Sequence, residues 1–171
     1  MKDFALVAYA AVIWHKLTGK DIDLEIRGGK FFLQGSLAIH YLIETGLWKL
    51  LAVLCPRGFL KGLFDADGGV DLWIHKSMLS SASIAFYNTN PEIIAMAAYA
   101  LTKLGSTFRI YKKKGTKKDC WILVIGSKRQ VRKFAREIGF RESRRKRLLD
   151  LALALYQLPP CQRYAIFSNV L

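Results

Sequence analysis

The pattern of apolar and polar positions divides the chain into a largely helical first third and a mixed remainder. Residues 4–17 and 47–54 are strongly apolar and predict helices, and a further helix is expected over residues 36–45. Between them, residues 21–33 alternate around a Gly-Gly pair, which permits the positive φ of a hairpin turn. A helix over residues 57–66 follows. The first third of the chain therefore predicts helices around a single hairpin.

After residue 69 the apolar period changes from that of a helix to that of a strand. Val70, Leu72 and Ile74 alternate with Asp71 and Trp73, which is typical of a half-buried strand. The elements predicted from here are strands over 70–75 and 81–87, a helix over 90–104, strands over 108–113 and 120–125, and helices over 127–139 and 143–157. Two strand pairs, each followed by helices, predict an α+β fold with one sheet face left free for a ligand. We expect residues 1–56 to form an N-terminal, mostly helical extension and residues 57–171 to form the core domain.

The composition excludes several classes of protein. Hydrophobic residues make up 52% of the 171 residues, so the chain can bury a core and is not globally disordered. Its longest apolar run, residues 4–14, is shorter than the roughly 20 residues that a membrane-spanning helix needs. Its 3 cysteines are far apart, which excludes a disulfide scaffold or a zinc ribbon and favours a reducing, cytoplasmic location.

The charge is strongly positive and unevenly placed. The net charge is +14, and residues 103–147 hold 17 basic and 3 acidic side chains. Such a concentration predicts a polyanionic partner, because each phosphate that is neutralised releases condensed counterions. A solubilising surface is the alternative. An anionic membrane surface is less favoured, because the basic residues fall partly in strands and not along one amphipathic helix.

Small residues recur every four positions in the helix predicted over residues 57–66. Gly58, Gly62 and Ala66 line one face of this helix, although a glycine inside a helix costs about 1 kcal/mol relative to alanine. Such a face permits another helix to approach closely. The partner is either a helix of the same chain or the symmetry-related helix of a second chain.

Two acidic residues close the same helix. A carboxylate at a helix C-terminus is disfavoured by about 0.3–1 kcal/mol, and acids held in such a place often bind a cation. Oxygen ligands favour Mg²⁺, which usually keeps several waters and takes one or two carboxylates. Asp65 and Asp67 are therefore candidate metal ligands. The alternative is that both are solvated turn residues.

This stretch of sequence resembles the signature of a known family. Residues 60–68 read Leu-Lys-Gly-Leu-Phe-Asp-Ala-Asp-Gly and resemble the motif of the LAGLIDADG homing endonucleases, departing from it at Lys61 and Phe64. The order of elements downstream is also similar to that family's core. The resemblance covers residues 57–160 and leaves residues 1–56 without a counterpart. It implies an αββαββα core with a curved, antiparallel, DNA-binding sheet.

The resemblance also implies an assembly and a metal site. Single-motif chains of this family act as homodimers, so the resemblance places Gly58, Gly62 and Ala66 at a two-fold interface. It makes Asp67 the ligand of Mg²⁺, assisted by the backbone carbonyl of Ala66. Asp65 is then structural and is expected to bond backbone groups at its own helix end.

Further site residues follow from the same resemblance. Asn90 takes the place of a polar residue that orders the attacking water, although it is equally suited to capping the next helix. Arg144, with Lys146 as the alternative, takes the place of a basic residue that contacts the scissile phosphate. Side chains that alternate along the predicted strands, and the lysines of the loop after residue 113, are the predicted DNA contacts. They are Asp71, Trp73, His75, Ser81, Ser83, Tyr87, Arg109, Tyr111, Lys113, Lys114, Lys117 and Lys118. Strand residues would read bases, and the loop lysines would hold phosphates.

The function that the resemblance implies is site-specific, Mg²⁺-dependent cleavage of double-stranded DNA by a homodimer, encoded within an intron. Two alternatives remain open within the same fold. An RNA-splicing maturase would take intron RNA as its partner, and a transcription regulator would bind DNA without cleaving it. A basic protein that coats nucleic acid without specificity is a third alternative, although it would not need the acidic pair or the small-residue helix face.

Overall fold

The structure, a computed structural model, describes residues 12, 15, 24–27, 30–33, 44–46, 48–75, 78–115 and 118–159. The chain divides into two compact units, Met1–Leu51 and Ala52–Leu171. Most of the helix predicted over residues 4–17, and most of the one predicted over residues 36–45, lies outside the described residues. The predicted domain boundary after residue 56 stays a prediction.

The first unit contains the hairpin expected from the Gly-Gly pair. Strand β1 (Leu24–Arg27) pairs with strand β2 (Lys30–Leu33) in antiparallel fashion, and Arg27 lies opposite Lys30. The predicted hairpin is therefore confirmed by the pairing of its two strands. Helix α1 (Trp48–Leu54) follows.

The second unit has the predicted order of helices and strands. Its elements are helix α2 (Pro56–Asp67), strands β3 (Gly68–His75) and β4 (Met78–Asn88), helix α3 (Pro91–Lys103), strands β5 (Arg109–Lys113) and β6 (Cys120–Ile125), and helices α4 (Lys128–Glu137) and α5 (Ser143–Leu155). The predicted α+β class is thereby confirmed. No helix in the described ranges is both long enough and apolar enough to cross a bilayer.

The four strands of this unit form one antiparallel sheet in the order β3-β4-β6-β5. Ile84 in β4 pairs with Val70 on one side and with Ile125 on the other. Directly paired residues share a face of a sheet, and side chains alternate along each strand. Ile84 and Ile125 are buried in the hydrophobic core, so their face is the one that the helices cover.

Four phenylalanine rings hold the motif helix α2 against the sheet. The ring of Phe64 lies 5.4 Å from that of Phe86 in β4 and 4.8 Å from that of Phe134 in α4, measured between centroids. The ring of Phe140 packs against Phe134 at 5.3 Å. Burying each such ring contributes about 1.5–3 kcal/mol. The cluster fixes the position of α2, and with it the position of the acidic pair at its end.

The chain passes from α2 into β3 without a loop. Gly68 is the C-cap of the helix and the first residue of the strand, and a Cβ atom there would lie 2.5 Å from the carbonyl oxygen of Phe64. No real side chain tolerates that approach to backbone, so the junction requires glycine. Because the junction is this tight, Asp67 lies at the very start of the sheet.

Candidate nucleic-acid interface and metal site

The two motif aspartates lie in different environments. Asp65 is 5% exposed, and its Oδ1 accepts hydrogen bonds from the backbone N–H groups of Arg141 at 2.7 Å and Glu142 at 3.5 Å. A buried carboxylate that binds backbone donors is structural, in agreement with the expectation. Its partners, however, are not at its own helix end. They lie in the α4–α5 connection, more than seventy residues later in the chain.

Asp67 is exposed at the last position of α2. The next residue, Gly68, pairs with Phe86 close to the end of β4. This register brings Asp67 to the same end of the sheet as Asn88, the last residue of β4, and Asn90, in the segment that follows it. Asn90 caps α3, because its Oδ1 accepts from the N–H of Glu92 at 2.9 Å. Its capping role is confirmed, and its role in ordering a water molecule stays a prediction.

Arg145 is the basic side chain that reaches the end of α2. Its guanidinium donates to the carbonyl oxygens of Phe64 at 3.4 Å and Ala66 at 3.3 Å, and it also bonds that of Asp65. Its Nε lies 3.6 Å from the carboxylate of Glu142. The last carbonyls of a helix lack partners within the helix and carry partial negative charge. Arg145 supplies both the donors and the positive charge that this helix end requires.

Arg145 is not among the residues predicted for the site, although its neighbours Arg144 and Lys146 are. Arg144 and Lys146 are both exposed, and Lys146 lines a groove of about 630 Å³ between α4 and α5 together with Lys61 and Arg136. A signal for Arg145 exists in the sequence. It lies four residues before the buried Leu149, so it belongs to the inward face of α5. The catalytic assignment of Arg144 and Lys146 stays a prediction.

We expect Arg145→Met to lower the free energy of unfolding by about 1–3 kcal/mol, because the α2 carbonyls lose their donors. Arg144→Met, the matched change at the exposed neighbour, should stay within about 0.5 kcal/mol of the wild type. Chemical denaturation of both variants measures the difference. Equal stabilities would show that the Arg145 contacts do not hold the helix end in solution.

The end of α2 offers oxygen donors of the kind that Mg²⁺ prefers. The Asp67 carboxylate is exposed, and the Ala66 carbonyl has a second lone pair beyond the one that Arg145 engages. In the described part of the chain, no three His, Cys, Asp or Glu side chains come together. These donors therefore fit an ion that takes one carboxylate from this chain and keeps waters, as Mg²⁺ does.

The small residues of α2 form an exposed face. Gly58, Gly62 and Ala66 are all exposed, and no described atom lies within 4 Å of the position that a Cβ would take at Gly62. Within the described residues, therefore, no helix of the same chain packs closely against α2 at Gly62. The face is available to a partner helix.

The predicted DNA-reading residues lie largely on one face of the sheet, opposite the helices. Strand register places these residues there: Asp71, Trp73, Ser81, Ser83, Tyr87, Arg109, Tyr111 and Lys113. Arg109, Tyr111 and Lys113 are exposed, as is Lys114 just after β5 and Lys118 beyond it. The side chain of His75 and the whole of Lys117 lie outside the described residues. A shift of register between Trp73 and Ile74 also interrupts the alternation before His75.

Two residues of this face bind aromatic side chains, and their predicted contacts with DNA stay predictions. Ser83, expected to contact DNA, is buried, and its hydroxyl accepts from the Trp73 indole N–H at 3.4 Å. Asp71 accepts from the Tyr87 hydroxyl at 3.2 Å. Burial, and next the nearby Asp71 carboxylate, raise the pKa of Tyr87 above its usual value. Ser83 and Asp71 thus hold aromatic side chains in place on the sheet.

Comparison with protein families identifies the same region of the chain. The family model described as a LAGLIDADG-like domain matches residues 55–139, which include α2, the four strands, α3 and α4. Two curated proteins of Methanocaldococcus jannaschii are each 33% identical to the chain, over 98 and 111 residues. They are a replication factor C small subunit and the uncharacterized protein MJ0398. The chain spans 5% and 38% of their respective lengths.

Solved structures with a similar fold include I-DmoI bound to DNA. The structure of I-DmoI with DNA and Mn has a TM-score of 0.61, with 19% identity over 81% of this chain and 77% of that one. I-DmoI with DNA and Ca has a TM-score of 0.55, with 18% identity over 91% of this chain and 75% of that one. The expectation that residues 1–56 lack a counterpart stays a prediction. The chain contains a LAGLIDADG-like domain over residues 55–139, and its fold is that of the LAGLIDADG homing endonucleases.

Proposed function

We propose that the chain is a site-specific endonuclease that cleaves double-stranded DNA with a divalent metal, and that this metal is Mg²⁺. The observation that carries this proposal is the position of Asp67. It is an exposed carboxylate at the point where α2 becomes the first strand of a sheet whose free face is lined with basic and aromatic side chains. Nucleic acid on that face would bring a phosphate close to a potential metal ligand.

The residues at this end of the sheet have separate roles in the proposal. Asp67 and the Ala66 carbonyl would hold the metal, which when bound activates water and stabilises charge on the phosphate. Asn90 would orient the water molecule. Arg145 fixes the α2 carbonyls, and through them the position of Asp67. Arg109, Lys113 and the lysines after β5 would hold the DNA.

We further propose that two copies of the chain act together across the exposed small-residue face of α2. Cleaving both strands needs two metal sites. This chain has one copy of the motif and therefore supplies one Asp67 carboxylate. A two-fold contact at Gly58, Gly62 and Ala66 would bring the ends of two α2 helices together, because the three residues share one face. Each copy would then supply one carboxylate and cut one strand.

The proposed dimer should not tolerate a large side chain at position 62. Gly62→Leu should force the two helices apart, with an overpacking cost of about 1–3 kcal/mol that recurs across the two-fold. Sedimentation should show a wild-type dimer, at least on DNA, and a shift toward monomer for Gly62→Leu. Gly62→Ala is the matched control and should dimerise nearly as well. A wild-type chain that stays monomeric on its target would contradict the dimer.

The basic residues make binding sensitive to salt. The affinity for DNA should fall steeply as salt rises, with a slope of about −0.9 per phosphate contact. Lys117→Gln with Lys118→Gln should flatten that slope and weaken binding to all sequences alike. Arg109→Gln should instead change the preference at one base pair. Equal weakening of target and random DNA by Arg109→Gln would show that this strand does not read bases.

An RNA-splicing maturase and a DNA-binding regulator are the two other functions considered for this fold, and one set of assays distinguishes both from a nuclease. Gel shifts in Ca²⁺ with target DNA, beside a splicing assay with the corresponding intron RNA, test the three cases together. A nuclease binds the DNA and cleaves it when Mg²⁺ replaces Ca²⁺. A maturase promotes splicing, and a regulator binds the DNA without either reaction.

A further inference from the structure

Helix α4 presents a strongly basic surface on its outward side. Within its ten residues it holds five basic side chains and one acidic side chain. Val131 and Phe134 are buried in the hydrophobic core, so their side of the helix faces inward. The basic residues lie on the opposite side and border one depression in the surface. They are Lys128, Arg129, Arg132, Lys133 and Arg136, and we call them the α4 patch.

The α4 patch lies on the other side of the sheet from the proposed DNA-reading face. Val131 and Phe134 belong to the same core as Ile84 and Ile125, which mark the helix-covered face of the sheet. The outward side of α4 therefore points away from the sheet. Duplex DNA has a persistence length of about 50 nm, so a duplex on the sheet would not bend round to this patch without a large cost. A partner of the patch is therefore a second segment or a second molecule.

The two lysines of the patch have a structural role. Lys128 Nζ donates to the carbonyl oxygen of Tyr156, the C-cap of α5, at 2.9 Å. Lys133 Nζ donates to the carbonyl oxygen of Gly105 at 3.1 Å and also bonds that of Leu104, the C-cap of α3. A cation is favourable at a helix C-terminus. The fold therefore accounts for the lysines, and the arginines need a separate explanation.

The three arginines lie among like charges. Arg129 is four residues before Lys133, and such neighbours on a helix repel each other. Arg132 is likewise four residues before Arg136. Arg129 also lies in the first turn, where the helix dipole disfavours a cation. Arg136 has an acidic partner, since its Nη2 lies 3.1 Å from Oε1 of Glu137. This arrangement destabilises the isolated helix, and a polyanion bound to the patch would remove the repulsion.

We propose that the α4 patch binds the phosphate backbone of a second segment of duplex DNA, so that one chain holds two segments at once. Arginine suits this role, because its planar guanidinium can donate two hydrogen bonds to one phosphate. A duplex fits better than a single strand. Among the described residues, no large hydrophobic side chain is exposed on α4 or α5, so unpaired bases would find no ring on which to stack.

The choice of DNA over RNA rests on the proposed function. A chain bound at a DNA site meets other segments of the same molecule at a high effective concentration. The contact itself is with phosphates, so it carries no sequence information and needs neither a metal nor Asp67. Binding at the α4 patch is therefore independent of cleavage.

Capture of DNA on beads tests whether the chain holds two duplexes. Beads carry one random-sequence DNA duplex, and the full wild-type chain is added in EDTA, followed by a dye-labelled DNA duplex. The dye should be retained only when the chain is present. Asp67→Asn should retain as much dye as the wild type, so a failed nuclease and a failed second contact are distinguishable.

Variants locate the second contact on α4. Arg129→Gln with Arg132→Gln should lower retention of the dye and flatten its salt slope by about 2, at about 0.9 per phosphate contact. A gel shift with one duplex should persist, because the sheet face is unchanged. Arg129→Lys with Arg132→Lys keeps the charge and should retain most of the dye. Arg57→Gln with Arg147→Gln is the matched control, because both are exposed arginines on other helices.

The double glutamine variant of α4 should also be more stable than the wild type. Removing Arg129 and Arg132 from among their like-charged neighbours should raise the midpoint of chemical denaturation in the absence of DNA. Arginines that served the fold would give the opposite sign.

Several outcomes would overturn the proposal. No retention of dye by the wild type would show that the chain holds one duplex. Undiminished retention by the double glutamine variant would place the second contact on another surface, and equal loss in the Arg57 and Arg147 control would make overall charge responsible. A lower denaturation midpoint would assign Arg129 and Arg132 to the fold. Tighter retention of a dye-labelled RNA duplex or single DNA strand would identify a different partner.

Discussion

Asp67→Asn is expected to abolish double-strand cleavage while target binding is retained. The change keeps the size of the side chain but removes the charge that would hold the divalent ion at the end of α2. Binding depends on the sheet face and the basic residues, so it should persist or tighten slightly as one negative charge near the phosphates is lost from each subunit. Plasmid cleavage in Mg²⁺, beside a gel shift in Ca²⁺, measures the two properties separately.

Asp150→Asn provides the matched control for this experiment. Asp150 is exposed on α5 and lines the groove between α4 and α5, so its loss should change neither cleavage nor binding. If Asp67→Asn cleaved as well as the wild type, Asp67 would not be the metal ligand. If it lost binding and cleavage together, Asp67 would serve DNA binding or folding.

Asp65→Ala should lower the free energy of unfolding by about 1–3 kcal/mol, because two backbone N–H groups lose a buried acceptor. Asp65→Asn keeps the Oδ1 atom that accepts from Arg141 and Glu142, so it should retain most of the stability. Chemical denaturation of both variants, with Asp67→Asn as the exposed control, measures the difference. Cleavage by Asp65→Asn should be reduced but detectable.

The Asp65 prediction has a clear failing outcome. If Asp65→Ala were as stable as the wild type, the carboxylate would not join α2 to the α4–α5 connection in solution. If Asp65→Asn were the less stable of the two, charge and not hydrogen bonding would be the property that matters at this position.

The elements of the second unit were predictable because their signals are local. The alternation of Val70, Leu72 and Ile74 identifies β3, since a half-buried strand repeats every two residues. Asn90 and Ser127 each cap a helix with the side-chain oxygen, as their positions before α3 and α4 predict. Each of these signals lies within a few residues of the structure that it specifies.

The contacts that build the site were not predictable in this way. Arg145 contacts the end of α2, and Asp65 contacts the α4–α5 connection, each across more than seventy residues of sequence. Alternation placed Ser83 on the correct face but could not show that it is buried or that it accepts from the Trp73 indole N–H. The register shift after Trp73 depends on how two strands pair, so one strand's sequence does not reveal it.

The motif also illustrates how alike two residues can look in sequence while differing in structure. Asp65 and Asp67 have the same chemistry and lie two positions apart at one helix end. A separation of two residues turns a side chain by about 200° around the helix axis, so one points inward and the other outward. Their burial follows from this rotation, and so does the assignment of one to structure and the other to metal binding.

The most direct test of the account is selection of cleaved sites from a randomised library of DNA duplexes by the purified wild-type chain. Sequencing of the cleaved ends after incubation with Mg²⁺, with Mn²⁺ or with EDTA gives both the metal requirement and the site. A single recurring site, cut in both strands only when a divalent metal is present, is the predicted result. Binding of DNA with no cleavage in either metal, or cleavage that continues in EDTA, would contradict a metal-dependent endonuclease.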